Sequence, residues 1–187
     1  ELWVVDLATS RSLLVDTGMS WQGACPQAYG DLFFYPRRCH DRWELRRLRF
    51  STLQIETIWE FEGDEFPFRA LGSASPDGRL LTNWRRGERD IPEVIVFDIE
   101  NGASRIIATG AEFFNPHPRF DRRRGEQVLV QQNRGMCWNP QDGARTVDAT
   151  LGATLVLANL RDGTTTSLPI SRPAIPHGVS GHEAWVT

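Results

Sequence analysis

Apolar and polar residues alternate along this chain in short runs broken by turn signals, and no apolar pattern with a 3.6-residue period is sustained. The segment "LWVVDLATSRSLLVDTG" at 2–18 reads as two strands joined by a tight turn. The same plan returns as "VIVFDIENGASRIIATG" at 94–110 and, more loosely, as "LVLANLRDGTTTSLPI" at 155–170. Asp6 and Asp98 hold the same place in the first two copies, 92 residues apart, which is two periods of 46. A degenerate copy, "RWELRRLRFSTLQIETIWEFEG" at 42–63, lies between them.

A second kind of hairpin alternates with the first. "ALGSASPDGRLLTNW" at 70–84 reads as a strand, a Pro-Asp-Gly turn and a strand. "PHPRFDRRRGEQVLVQQ" at 116–132 and "GACPQAYGDLFFYP" at 23–36 follow the same plan. A period of about 40–50 residues carrying four short strands predicts the blades of a β-propeller. The fold class expected is therefore all-β, a partial propeller arc of about four blades. The expected divisions are the outer half of a blade at 1–18, blades at 19–63, 64–110 and 111–170, and the start of a further blade at 171–187. Within the fourth blade, "NRGMCWNPQDGARTVDAT" at 133–150 reads as a polar insertion between its second and third strands. Since the arc opens on a third strand and stops within a blade, a fragment of a larger closed propeller is expected. A β-sandwich also uses short strands at regular spacing, but the 46-residue repeat argues against it.

Composition narrows the function classes. With 187 residues, 40% of them hydrophobic and 24% charged, the chain fits one globular domain. A net charge of −3, from 24 acids and 21 bases, gives no global attraction for nucleic acid or an anionic membrane. No apolar run approaches the roughly 20 residues that span a bilayer. Anion handling must then be local, and arginines do cluster, in "YPRR", "NWRRGER" and "RFDRRR". Cys25, Cys39 and Cys137 lack metal-type spacing and leave an odd thiol, so no disulfide framework is expected.

Three of the four histidines fall in "EFFNPHPRF" at 112–120 and "IPHGVSGHEAW" at 175–185. In a propeller the innermost strand of each blade starts near the central channel. His117 and His182 occupy such starts in successive blades. Aligning Phe120 with Trp185 puts both histidines at one repeat position, which holds Leu71 in the preceding blade. A histidine at a strand start is more often structural than catalytic. Two at one repeat position, aimed at one channel, suit either a general base or a ligand for a borderline metal.

"NPHPRF" followed by "VLVQQNRG", then "DGTTTSLPI" and "SGHEAW", resembles the oligogalacturonate lyase family. That family comprises seven-bladed propellers with a His-Pro-Gln-Phe segment and, a blade later, Gly-His-Glu-Phe-Trp. "HDRWELRRLRFSTLQIETIWEF" and "LGSASPDGRLL" resemble the preceding blades, and such Ser-Pro-Asp-Gly turns also occur in TolB-like and prolyl-oligopeptidase propellers. The chain departs from the motifs at Arg119 in place of Gln and at Ala184 in place of Phe, and "QQNRG" replaces a segment that is often His-Glu-Gly.

The resemblance implies a metal-dependent lyase that cleaves oligogalacturonides by β-elimination, with His117 as the base. It implies His182 as one ligand of a divalent metal, manganese as a rule, whose remaining ligands come after Thr187. It also implies a cytoplasmic location, with the periplasm as the alternative. Arg85, Arg86 and Arg89 in the third blade's loop, with Arg134 in the fourth, are expected on the channel face, where guanidinium forks pair with uronates. The plainer reading of each is a solvated loop arginine. Trp84 and Trp138 are candidates for sugar stacking. The other function class is a non-enzymatic propeller, either TolB-like or the substrate-gating domain of a larger peptidase.

Overall fold

The computed structural model describes residues 1–20, 27–68, 70–138, 145–147 and 151–170, and among them the regular elements are β-strands and two single 3-10 turns. The chain divides into two compact units, Glu1–Ala70 and Leu71–Thr187.

The first unit opens on a hairpin of β1 (Leu2–Asp6) and β2 (Arg11–Asp16). Its turn is fixed locally: Asp6 Oδ1 accepts the Ala8 N–H at 2.9 Å, and Thr9 Oγ1 donates to Asp6 Oδ2 at 2.7 Å. The unit continues as a four-stranded antiparallel meander, β3 (Gln27–Tyr29), β4 (Leu32–Cys39), β5 (Arg42–Arg49) and β6 (Gln54–Glu62), paired in that order. Phe34 and Tyr35 are neighbours in β4 and point to opposite faces, yet both are fully buried, so this sheet is covered on both sides. Phe66 and Phe68 pack edge-on to each other and to Phe61, closing one end of the core.

The second unit carries two more meanders. β7 (Ala70–Ala74), β8 (Leu80–Arg86), β9 (Pro92–Asp98) and β10 (Ser104–Thr109) pair in sequence order. β11 (Arg119–Phe120) and β12 (Gln127–Asn133) begin the next sheet. It is completed, after a separate hairpin of β13 (Met136–Trp138) and β14 (Arg145–Val147), by β15 (Ala153–Asn159) and β16 (Thr165–Ser167). The polar stretch expected as an insertion between the second and third strands lies there and carries a two-stranded sheet of its own.

The two sheets of this unit meet across an apolar seam of Val94 and Val96 from β9, Phe113, Phe120 from β11, and Val128 and Val130 from β12. The first strands come closest. The Phe120 N–H donates to Ser73 Oγ at 2.7 Å, and Thr82 Oγ1, which also accepts the Ser73 N–H at 2.8 Å, reaches the Pro118 carbonyl at 3.2 Å. The last strands lie at the margin of the seam: β16 is exposed throughout, and β10 offers it only the partly buried Ile107 and Ala108. Successive four-stranded antiparallel meanders that touch at their first strands follow the plan of propeller blades. A sandwich holds its two sheets at one spacing of about 10 Å. The fold is all-β and of the β-propeller type, a partial arc.

Candidate functional site

β7 and β11 lie side by side in the second unit, with residues 72–73 against 118–120, so both strands begin at the same end of their sheets. β8 and β12 finish at that end. Of the residues expected at the site, Arg85 and Arg86 are the last two of β8, Arg134 directly follows β12, and His117 stands two residues before β11. Arg89 sits in the turn that links β8 to β9. His182 lies outside the described residues, so its convergence with His117 is a matter for experiment.

His117 is half-buried and adopts φ 43, a left-handed conformation for a residue between two prolines. Hydrogen bonds hold the backbone on both sides. The Pro116 carbonyl accepts the Gln131 N–H at 2.7 Å, and the Pro118 carbonyl accepts from Thr82 Oγ1. Asn115, two residues earlier, is also left-handed at φ 54. A polar group surrounds this end of β12: Gln131 Nε2 donates to Asn133 Oδ1 at 2.7 Å, and Asn133 Nδ2 donates to the Phe114 carbonyl at 2.8 Å.

The arginines of β8 face a different recess. Arg85, Arg86, Gly87, Glu88, Ile91, Glu93 and Thr109 line a cleft of about 530 Å³. Arg85 Nε donates to Glu93 Oε2 at 2.8 Å, its cross-strand partner on β9, and Arg86 Nη1 donates to Asp90 at 3.0 Å. Arg89 is exposed at φ 56. Neither His117 nor Arg134 is among the residues lining this cleft. The structure therefore brings Arg85 and Arg86 together with their own carboxylates, and His117 onto the neighbouring sheet.

Trp84 is corrected. Its ring is 8% exposed and packs edge-on to Phe114, with centroids 5.3 Å apart, so it is a core residue rather than a stacking platform.

Sequence reasoning missed a charged cluster in the first unit. Tyr35 Oη donates to Asp16 Oδ2 at 2.6 Å and Arg46 Nη1 donates to the same oxygen at 2.8 Å. Arg46 Nε and Arg37 Nη1 both reach Glu44 Oε2, at 2.7 and 3.2 Å. Burial raises the Asp16 pKa, but the bonds from Tyr35, Thr17 and Arg46 outweigh it and hold the carboxyl below its ordinary value. Glu44 behaves alike: burial is overcome by Arg46 and Arg37. Tyr35 is pushed well up, by burial first and then by the Asp16 carboxylate. The Arg37-x6-Glu44-x-Arg46 spacing was the available signal, because Glu44 and Arg46 alternate onto one face of β5 and the hairpin register sets Arg37 opposite Glu44.

Among the described residues no three His, Cys, Asp or Glu side chains are placed to hold a metal ion. The manganese that the resemblance implies therefore has no donor set among them.

No protein-family model matches the sequence, and no characterised protein matches it in sequence comparison. Solved structures do match in fold. An oligogalacturonate lyase from Vibrio parahaemolyticus is 14% identical, with a TM-score of 0.49 over 88% of this chain and 57% of its own. A second oligogalacturonate lyase, in complex with manganese, is 15% identical, with a TM-score of 0.44 over 91% of this chain and 60% of its own. TolB from Acinetobacter baumannii is 14% identical, with a TM-score of 0.41 over 87% of this chain and 47% of its own. The chain spans about half the length of these propellers. The likeness is one of strand arrangement and assigns neither family nor activity.

Proposed function

We propose that this chain belongs to a β-propeller lyase that cleaves uronate oligosaccharides, oligogalacturonides above all, with His117 as the proton acceptor. The observation that carries this reading is the backbone of His117, left-handed between two prolines and fixed by hydrogen bonds from β8 and β12. A conformation costing of order 1–3 kcal/mol persists where the surroundings over-determine it, and such outliers cluster at sites that do chemistry.

In the proposed reaction the imidazole takes the proton from the carbon alpha to the uronate carboxylate. The electron pair forms the carbon–carbon double bond, the bond from C4 to the glycosidic oxygen breaks, and the leaving oxygen takes a proton from solvent. A positioned base contributes about 10²–10⁴ in rate. Arg134, beside the same strand end, and exposed Arg89 are assigned to the substrate carboxylates. Arg85 and Arg86 take that role only beside Glu93 and Asp90, whose carboxylates already bond them. His182 remains the proposed metal ligand, and no step here is routed through the metal.

The test is product formation. The intact protein, supplied with manganese and given short oligogalacturonides, is expected to generate the ultraviolet absorbance of a conjugated unsaturated uronate. Failure to eliminate any uronate overturns the reading. One observation favours the other class, a binding or gating propeller: the arginines of β8 are already paired, so the cleft they line has no net excess of positive charge.

A further inference from the structure

The cleft lined by β8, β9 and β10 has no part in the proposed proton transfer, and its charges are balanced: two arginines, Arg85 and Arg86, face two glutamates, Glu88 and Glu93. A carboxylate entering it has to face the like charge of Glu93 beside Arg85 or of Asp90 beside Arg86. A hydroxyl does not, because it donates to a carboxylate oxygen while accepting from a guanidinium, and a vicinal diol does both at once. The Arg85–Glu93 pair engages Nε and one carboxylate oxygen among the described residues, and each side chain carries further donors or lone pairs.

The rest of the lining has the same character. Thr109 Oγ1 donates to the Pro92 carbonyl at 3.2 Å, which leaves its lone pairs as acceptors. Ile91 is 42% exposed and offers an apolar patch to the C–H face of a sugar ring. The floor is preorganised. The Gly87 N–H donates to the Ile91 carbonyl at 2.8 Å and the Gly110 N–H to the Pro92 carbonyl at 3.1 Å, and a Cβ at residue 87 would collide with the Glu93 carboxylate. The volume, about 530 Å³, is in the range of small-ligand sites.

We infer that this cleft is a subsite for a neutral, hydroxyl-bearing sugar unit, such as an uncharged hexose or an esterified uronate, recognised through the Arg85–Glu93 pair and Thr109. The inference rests on the carbohydrate reading above and adds a unit that the anionic chemistry alone does not call for.

The experiment is a titration of the isotopically labelled chain, followed by the Gly87 amide and Arg85 Nε–H resonances. Galactobiose serves as the neutral probe, digalacturonate as the anionic one and trialanine as a peptide control. Galactobiose is expected to shift both resonances with a Kd of about 1 mM, little changed between low and physiological salt. Glu93→Gln and, independently, Thr109→Val are each expected to weaken it about 5-fold, the loss of one hydrogen bond. Digalacturonate binding that falls with salt and tightens in Glu93→Gln overturns the proposal in favour of an anion site. So does a response to trialanine as strong as that to galactobiose, or no shift with any sugar. Elimination activity is not read in this experiment, so the lyase reading stands or falls separately.

Discussion

Gly72 faces the Pro118 carbonyl so closely that a Cβ at residue 72 would collide with it, while the Arg119 guanidinium donates to the Gly72 carbonyl at 2.5 Å. This is where β7 and β11 are drawn together, and the same contact sets Pro118, next to His117, against Thr82 of β8.

Gly72→Ala is expected to destabilise the protein by about 1–3 kcal/mol, the usual cost of forcing extra volume into a packed seam. Urea denaturation measures it. An unchanged midpoint would mean that the two sheets are not held at this contact.

The Asp16 and Glu44 carboxyls are both held below their ordinary values of 3.8 and 4.5 by the groups that bond them. Their contribution to stability is complete above those values and is lost as pH falls through the lower, folded ones. Wild-type stability is therefore expected to drop below about pH 4, and Asp16→Asn to flatten that part of the profile. Removing one partner outright, as in Asp16→Ala, is expected to cost about 3 kcal/mol near neutral pH. Thermal denaturation across pH 2–7 checks both, and parallel wild-type and Asp16→Asn profiles would remove the cluster as the cause.

His117→Gly separates a side chain kept for chemistry from one kept for packing. Glycine takes φ 43 without the steric penalty of a Cβ, and that relief offsets its own entropic cost of roughly 0.5–1 kcal/mol. The variant is expected to match the wild type within about 1 kcal/mol in urea. A loss above about 2 kcal/mol, the scale of truncating a packed side chain, would assign His117 to structure.

Local chemistry was legible in the sequence, and long-range pairing was not. The repeat marked by Asp6 and Asp98 marks a shared turn: Asp98 Oδ1 accepts the Glu100 N–H at 2.9 Å as Asp6 accepts that of Ala8, and Asn159 does the same for Arg161. These contacts span two residues, so a short window contains them. The Pro-Asp-Gly turn between β7 and β8 is equally local, with Asp77 Oδ1 accepting the Arg79 N–H at 3.1 Å. Asp16, by contrast, finds Tyr35 and Arg46, 19 and 30 residues away, and no period foretells them. Arg85 and Arg86 read as cationic because Glu93 and Asp90 sit across a strand pair and a tight turn, and only the register Arg85↔Glu93 discloses the neutralisation. The left-handed His117 backbone was not read from the sequence, since the groups that bond its flanking carbonyls, Gln131 and Thr82, come from two other strands.

The central claim is that His117 accepts the proton in uronate elimination, and turnover of the folded His117→Gly variant tests it most directly. With the intact protein, manganese and a short oligogalacturonide, kcat is expected to fall about 10²–10⁴-fold while KM changes little, as for a group that acts on the proton in the transition state. Full turnover by His117→Gly, followed through the absorbance of the unsaturated product, would contradict the account.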